Sequence, residues 1–286
     1  MRRITTILGL LAVLAGALPA RTASAATRAE VAALQVALRS AGLYAGTVDG
    51  IAGPRTSAAV RAAQRSAGLL ADGIAGPATR RALGRLGRPD YGSRAMRAGA
   101  VGWDVAALQF GLATHGFPGG PIDGALGPRS VAALQRFQRW AGLTPDAIAG
   151  PSTRRALTAP PPRAPVRLRA PVRGPVGDRF GPRWNVFHAG VDFPARTGTP
   201  VTAAGWGTVV RAGYDASGWG NMVVIGHRFG MRTLYAHLAS VDVVAGQAVG
   251  VGQRLGTVGT TGRTSGPHLH FELLLRGANV DPLGAL

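Results

Sequence analysis

The chain has 286 residues, is 46% hydrophobic and carries a formal net charge of +19, all of it from arginine because lysine is absent. It contains no cysteine, which excludes a thiolate metal cage. The positive balance favours polyanionic partners through long-range attraction. Nucleic acid is not expected among them, because the arginines are spread over all segments, aromatics are few and no nucleic-acid motif accompanies them. Arginine in place of lysine equally suits a GC-rich genome.

In chain order, Arg2-Arg3 precede an apolar run from Ile4 to Leu18, and Ala23-Ser24-Ala25 offers a small-residue cleavage site. Residues 1–25 therefore read as a secretory signal, with Ala26 first after cleavage. The apolar run falls short of the ~20 residues that a membrane span needs, and no later stretch is long and apolar enough. The expected location is outside the cytoplasm.

An internal repeat follows. Asp49-Gly50-Ile51-Ala52-Gly53-Pro54-Arg55-Thr56 recurs at Asp72 to Thr79, at Asp123 to Ser130 and at Asp146 to Thr153. Asp and Gly suit a tight turn, and Pro after Gly suits the first position of a helix, where a missing N–H is harmless. Val31, Leu34 and Leu38 form an apolar helical stripe that Val105, Leu108 and Leu112 repeat, with Leu134, Phe137 and Leu143 as further core. The prediction is two helical bundles of about 60 residues each, at 26–85 and 100–157, joined by a linker at 86–99. Residues 28–84 and 100–157 resemble the peptidoglycan-binding domain often attached to wall hydrolases, with its L-Q-x-x-L and D-G-x-x-G-P-x-T pattern. Two departures stand out: Ala63 occupies the place of Phe137, which thins the first core, and Ala147 replaces the turn glycine of the last copy. Either module could serve as a spacer without affinity, or the repeats could cover the active-site groove.

Residues 158–171, Thr158 to Pro171, are rich in proline and arginine and read as a stiff extended spacer. Alternatively, the last of them already belong to the following domain, residues 172–286.

That domain reads as β-rich, with short runs at Val201–Ala203, Thr208–Val210, Met222–Ile225, Thr233–Tyr235 and Leu269–Leu275 separated by glycines. Five of the six histidines lie between 188 and 270, three of them in His188-Ala-Gly-Val-Asp192 and His268-Leu-His270. Such N and O donors suit a Zn²⁺ site of three protein ligands plus water. In a strand, His268 and His270 share a face about 7 Å apart, whereas a straight strand would separate His188 and Asp192 by roughly 13 Å. The chain must bend between those two, and Gly190 permits it. Spacing alone does not choose between His268 and His270 as ligand. Trp206, Trp219 and Tyr214 are candidates to line the groove, with core or surface packing as the alternative.

Residues 172–282 resemble the lysostaphin-type, LytM-like zinc endopeptidases of bacterial cell walls. The match runs through Phe180-Gly181-Pro182-Arg183, Phe187-His188-Ala189-Gly190-Val191-Asp192-Phe193, Gly198-Thr199-Pro200-Val201, Gly220-Asn221, Tyr235-Ala236-His237-Leu238, Gly252-Gln253, Gly266 to Glu272 and Asp281-Pro282. The resemblance implies that His188, Asp192 and His270 hold zinc and that His268 and His237 flank the reacting water as catalytic residues. It assigns no substrate-binding residue. His227 matches a histidine common in that family and is read as structural; His115 lies in another domain. The expected architecture is two all-α, three-helix modules followed by an all-β, mainly antiparallel domain. The expected activity is zinc-dependent hydrolysis of peptide bonds in peptidoglycan stems or cross-links, with peptidoglycan and anionic wall polymers as partners. A noncatalytic wall-binding activator of another hydrolase is the alternative. A D,D-carboxypeptidase found with such repeats fits less well, because its His-to-Asp spacing is longer.

Overall fold

A computed structural model describes residues 27–286, so the expected signal at 1–25 lies outside the described residues. Six helices form the N-terminal part: α1 (Arg28–Ser40), α2 (Pro54–Ser66), α3 (Pro77–Ala82), α4 (Trp103–Thr114), α5 (Pro128–Trp140) and α6 (Pro151–Ala156). Thr27 and Glu30 close a capping box on α1. The other repeat-associated helices, α2, α3, α5 and α6, each start with Pro directly after a Gly N-cap, as the repeat predicts.

One buried glutamine explains each copy of the repeat. The Gln35 amide donates to Asp49, to the Ile51 carbonyl and to Thr56, while its oxygen accepts from the Asp49 and Gly50 N–H groups. Gln64, Gln109 and Gln138 do the same for the turns at Asp72, Asp123 and Asp146. Each turn thus gains a buried polar partner that satisfies both sides. The second turn residue is left-handed in every copy: Gly50 (φ 71°), Gly73 (φ 81°), Gly124 (φ 77°) and also Ala147 (φ 59°).

The two helical units share their interior. Trp103, Ala106, Ala107, Phe110 and Ile122 pack in one cluster with Leu34, Leu38, Val48, Val60 and Ala63. The first core, thin at Ala63, is therefore completed by the second unit. Leu134 and Phe137 are buried, but Leu143 is only half-buried at the margin. The connection at 86–99 is also packed: Leu86 and Tyr91 join the shared cluster, Met96 is buried, and Arg94 pairs with buried Asp104 at 2.7 Å.

The C-terminal part is antiparallel throughout. Its strands are β1 (Gly181–Arg183), β2 (Val186–His188), β3 (Val191–Pro194), β4 (Pro200–Thr202), β5 (Gly207–Asp215), β6 (Gly220–Gly226), β7 (Met231–Val241), β8 (Ala248–Val249), β9 (Arg254–Val258), β10 (His268–Leu275) and β11 (Ala278–Val280). The main sheet runs β11-β10-β7-β6-β5-β8; β3 pairs with β10, and β9 pairs with both β4 and β7. Val191, Phe193, Val223, Tyr235, Leu255, Leu269 and Phe271 fill the core beneath it. Alternation along β10 sends Leu269, Phe271 and Leu273 inward and places His268, His270 and Glu272 on the opposite face.

The proline- and arginine-rich segment does not span open solvent. Val166 and Leu168 pack against Met231, Leu273 and Val280. The Leu168 and Arg169 N–H groups donate to Ala285 and Ala204, and Pro171 accepts from Thr202. Val and Leu alternating with Arg supply an apolar edge that finds cover on the sheet. Further contacts join helices to sheet: the Trp184 carbonyl accepts from Val48 N–H at 2.7 Å, the Asn185 carbonyl from Ile122 N–H at 2.6 Å, and the Gly116 carbonyl from Asn279 N–H at 2.9 Å. Val48 and Ile122 each precede the Asp-Gly of their repeat, so equivalent points of both modules grip the β1–β2 turn.

Candidate metal centre

Three elements bring the metal-ligand candidates together. His188 ends β2, Asp192 lies on β3 directly opposite His270 in the β3–β10 ladder, and the chain turns between His188 and Asp192 at Ala189-Gly190. Gly190 is required there by close approach, since a Cβ would overlap the Phe271 carbonyl; it does not adopt a left-handed conformation. His188 Nε2, Asp192 Oδ1 and His270 Nδ1 converge, with separations of 3.2 Å (His188–Asp192), 2.8 Å (Asp192–His270) and 3.1 Å (His188–His270). Ligands at about 2.0–2.1 Å in a tetrahedral array stand about 3.3 Å apart. This donor set therefore has the spacing of one face of a zinc tetrahedron, slightly contracted.

The outward ring nitrogens are all engaged, which assigns the tautomers. His188 Nδ1–H donates to the Arg179 carbonyl at 3.0 Å, and His270 Nε2–H donates to Glu272 at 3.3 Å. Glu272 is buried and is itself held by Asn279 Nδ2 at 2.9 Å. Such outer partners orient the ring and raise ligand basicity. Glu272 was visible in the sequence as the third same-face position of the H-L-H-F-E run; Asn279 and the Arg179 carbonyl carried no sequence signal, since their role depends on the β10–β11 and β1–β2 hairpins.

The second pair of imidazoles stands alongside. The rings of His237 and His268 are 4.9 Å apart, and His237 is 6.0 Å from His270. His237 Nδ1–H donates to Thr261 O at 2.9 Å and His268 Nδ1–H to Gly266 O at 2.8 Å, so in the neutral rings Nε2 is the unprotonated nitrogen. His268 Nε2 lies 3.7 Å from Asp192 Oδ1. His237 sits at a bulge of β7, where the pairing with β6 shifts between Asn221 and Val223, and its backbone is left-handed at φ 62°. A bulge re-aims a side chain, and here it turns His237 into the groove.

Burial, reinforced by the neighbouring His268 and His270, holds the His237 pKa below its ordinary value. For His270 burial acts downward, but hydrogen bonds to Asp192 and Glu272 outweigh it and raise the pKa to about 9. Asp192 is pushed upward by burial and more strongly downward by its bonds to His188 and His270, so its carboxylate stays ionised.

All five residues line one open groove of about 660 Å³, whose walls include Trp219, Arg183 and Arg263 and come entirely from residues 177–272. No helix of the repeats covers it. Trp219 leans over His270, with ring centroids 5.1 Å apart and the planes tilted by 30°. Trp206 and Tyr214 lie outside this groove. His227 is outside it too, bonded to the Trp206 carbonyl and Thr233 hydroxyl; His115 bridges the Gly111 and Ala159 carbonyls in the helical part. Among the described residues no helix is long and apolar enough to cross a membrane.

Comparison with known proteins finds relatives for both parts of the chain. Residues 186–282 match "Peptidase family M23", and residues 27–83 and 102–157 each match "Putative peptidoglycan binding domain". The chain is 44% identical over 111 residues to the peptidoglycan DD-endopeptidase ShyA of Vibrio cholerae, covering 39% of this chain and 24% of that protein. It is 41% identical over 115 residues to the DD-carboxypeptidase/endopeptidase Mpg of Neisseria meningitidis, covering 39% and 26%. The catalytic domain of lysostaphin from Staphylococcus simulans aligns at 34% identity with a TM-score of 0.37, over 38% of this chain and 90% of that one. The chain thus spans about a quarter of the length of these curated relatives.

Proposed function

From a peptidase family M23 domain that follows two peptidoglycan-binding domains, we propose that this protein is an exported, zinc-dependent endopeptidase that cuts peptide stems or cross-links of peptidoglycan. The single observation that carries the proposal is the convergence of His188, Asp192 and His270 within zinc-ligand spacing, next to two imidazoles with free Nε2 atoms. The donor set is chemically apt, two neutral imidazoles and a carboxylate being a familiar catalytic zinc triad. A zinc ion bound there supplies a water acidified to a pKa of roughly 7 and a Lewis acid for the scissile carbonyl.

The chain's own residues do the rest. His237, neutral because burial and neighbouring rings disfavour its charged form, accepts a proton at Nε2. His268, held through Nδ1 by Gly266, presents its Nε2 on the same side; in the imidazolium form that nitrogen carries a proton, which it donates to the developing oxyanion or passes to the leaving amine. Arg263 on the groove wall favours a stem peptide that carries carboxylates, whereas Arg183 is already paired with Asp178 at 2.6 Å. The repeats, whose names in known proteins refer to peptidoglycan, anchor the enzyme to the wall, and residues 1–25 direct export. The division at 26–85, 86–99, 100–157, 158–171 and 172–286 belongs to this proposal.

Purified protein incubated with peptidoglycan, with and without a chelator, tests it. The expected result is release of new amine termini only in the presence of metal, with mass spectrometry of the muropeptides identifying the bond. Absence of cleavage in the metal-loaded protein would leave the noncatalytic activator in its place.

A further inference from the structure

A second groove lies at the other end of the sheet. Strand β6 runs from Gly220, beside the metal-centre groove, to Gly226, next to His227, so roughly 20 Å of strand separates the two. This second groove measures about 640 Å³ and is lined by Leu168, Trp206, Phe229 and Val251 together with Arg167, Arg169 and Arg228. Its size falls within the range of small-ligand sites.

Two features of its walls have no structural explanation. Trp206 is 77% exposed and Phe229 71% exposed, although large aromatics normally bury most of their surface. Phe229 also holds a left-handed backbone at φ 61°, a conformation that a bulky residue adopts only at a local expense in energy. The Trp206 ring is braced against Gly250, where a Cβ would come within 3.2 Å of it, while most of the indole stays open to solvent. The Arg169 guanidinium hangs over Gly252, 2.9 Å from where a Cβ would be. Among the described residues Arg167, Arg169 and Arg228 have no acidic partner within ion-pair distance, and no acidic side chain lines the groove.

Flat aromatic faces accept the C–H side of a pyranose ring, and unpaired guanidinium groups bind carboxylate or phosphate oxygens in bidentate fashion. We propose that this groove, formed by Trp206, Phe229 and Arg167, Arg169 and Arg228, is a second binding site that takes an acidic glycan, with sugar rings on the aromatics and carboxylates or phosphates on the arginines. Concavity favours a strand over a lipid surface: both aromatics line a groove, whereas a bilayer would need them projecting from a convex face. The site is independent of hydrolysis, and its position on the enzyme domain would hold a glycan strand while the other groove works on an attached peptide.

Isothermal titration of the full-length protein with three soluble probes tests this. They are a peptide-free oligomer of alternating N-acetylglucosamine and N-acetylmuramic acid, a glycosylated poly(glycerol phosphate), and a neutral N-acetylglucosamine oligomer of equal length. The wild type should bind one or both acidic probes at least tenfold more tightly than the neutral one, and the better probe identifies whether carboxylate or phosphate is the natural group. Trp206→Ala, and separately the triple Arg167→Ser, Arg169→Ser, Arg228→Ser, should each weaken that binding at least tenfold while melting as the wild type does. Cleavage of a short soluble stem peptide should be unchanged in both, so failure of this proposal is distinguishable from failure of the endopeptidase reading. Equal affinity in wild type and variants would place the glycan elsewhere, on the repeats, and overturn it. So would loss, in Trp206→Ala, of binding to vesicles of anionic phosphatidylglycerol with none to either acidic oligomer.

Discussion

Four imidazoles meet in the metal-centre groove, and each has one nitrogen tied to a backbone carbonyl or a carboxylate. That arrangement selects which nitrogen can bind metal or take a proton, and it separates the proposed roles experimentally. His270→Ala should lose zinc on dialysis, whereas His268→Ala should retain it and lower kcat by about 10²–10⁴-fold, as expected for removal of a general acid or base. Metal analysis and steady-state kinetics on the same preparations check both. His270 also makes metal binding proton-linked. Its pKa in the metal-free protein is raised to about 9, so at pH 7 it carries a proton that zinc must displace. Calorimetry in buffers of different ionisation enthalpy should find about one proton released from this ring per zinc at pH 7, falling toward zero above pH 9, with apparent affinity rising over the same interval. The sign for folding runs the same way: a pKa raised above its unfolded value stabilises the metal-free fold at low pH, and that contribution disappears as pH climbs from about 6.5 to about 9.

Among the elements, the repeat turns and the β7 bulge carry left-handed residues for different ends. At the turns the conformation only closes the chain onto a buried glutamine, and three copies use glycine. Ala147 is the exception, so Ala147→Gly should raise stability by about 0.5–1 kcal/mol, the relief of left-handed strain less the greater chain entropy of glycine. A denaturation midpoint shifted upward with an unchanged slope would show it. At the bulge His237 keeps the same conformation because the side chain is needed in the groove. His237→Gly should therefore fold with stability within about 1 kcal/mol of the wild type yet lose most turnover. A large drop in melting temperature would show instead that the ring holds the bulge together.

In the whole molecule, modules and enzyme form a packed body. Val48 and Ile122 grip the two-residue turn between β1 and β2, where Trp184 is left-handed at φ 55°, and β2 leads directly into His188. Asn279, which orients Glu272 below His270, is held through its backbone by Gly116 of the second module. Small-angle scattering of the protein without its first 26 residues should give a radius of gyration near the ~18 Å of a compact chain of this length, not that of domains on a tether. Removing the two donors together, with Val48→Pro and Ile122→Pro, should increase that radius, and a value unchanged by the pair would show that the shared contacts elsewhere suffice.

Local pattern determined much of this protein. The Asp-Gly turns, the Gly-Pro helix starts, the Val31–Leu38 stripe and the alternation of His268, His270 and Glu272 with apolar residues are short-range features, and short-range physics governs them. Strands such as β9, with Gly256 in its middle, and the two-residue β8 were not legible, because their pairing rather than their composition makes them strands. Only the tertiary structure decided that the first unit's core is shared with its neighbour, that Val166 and Leu168 lie on the sheet, and that Asp192 faces His270 across a ladder. Those outcomes depend on residues distant in the chain competing to bury apolar area and satisfy backbone groups, and no window of local sequence contains both partners.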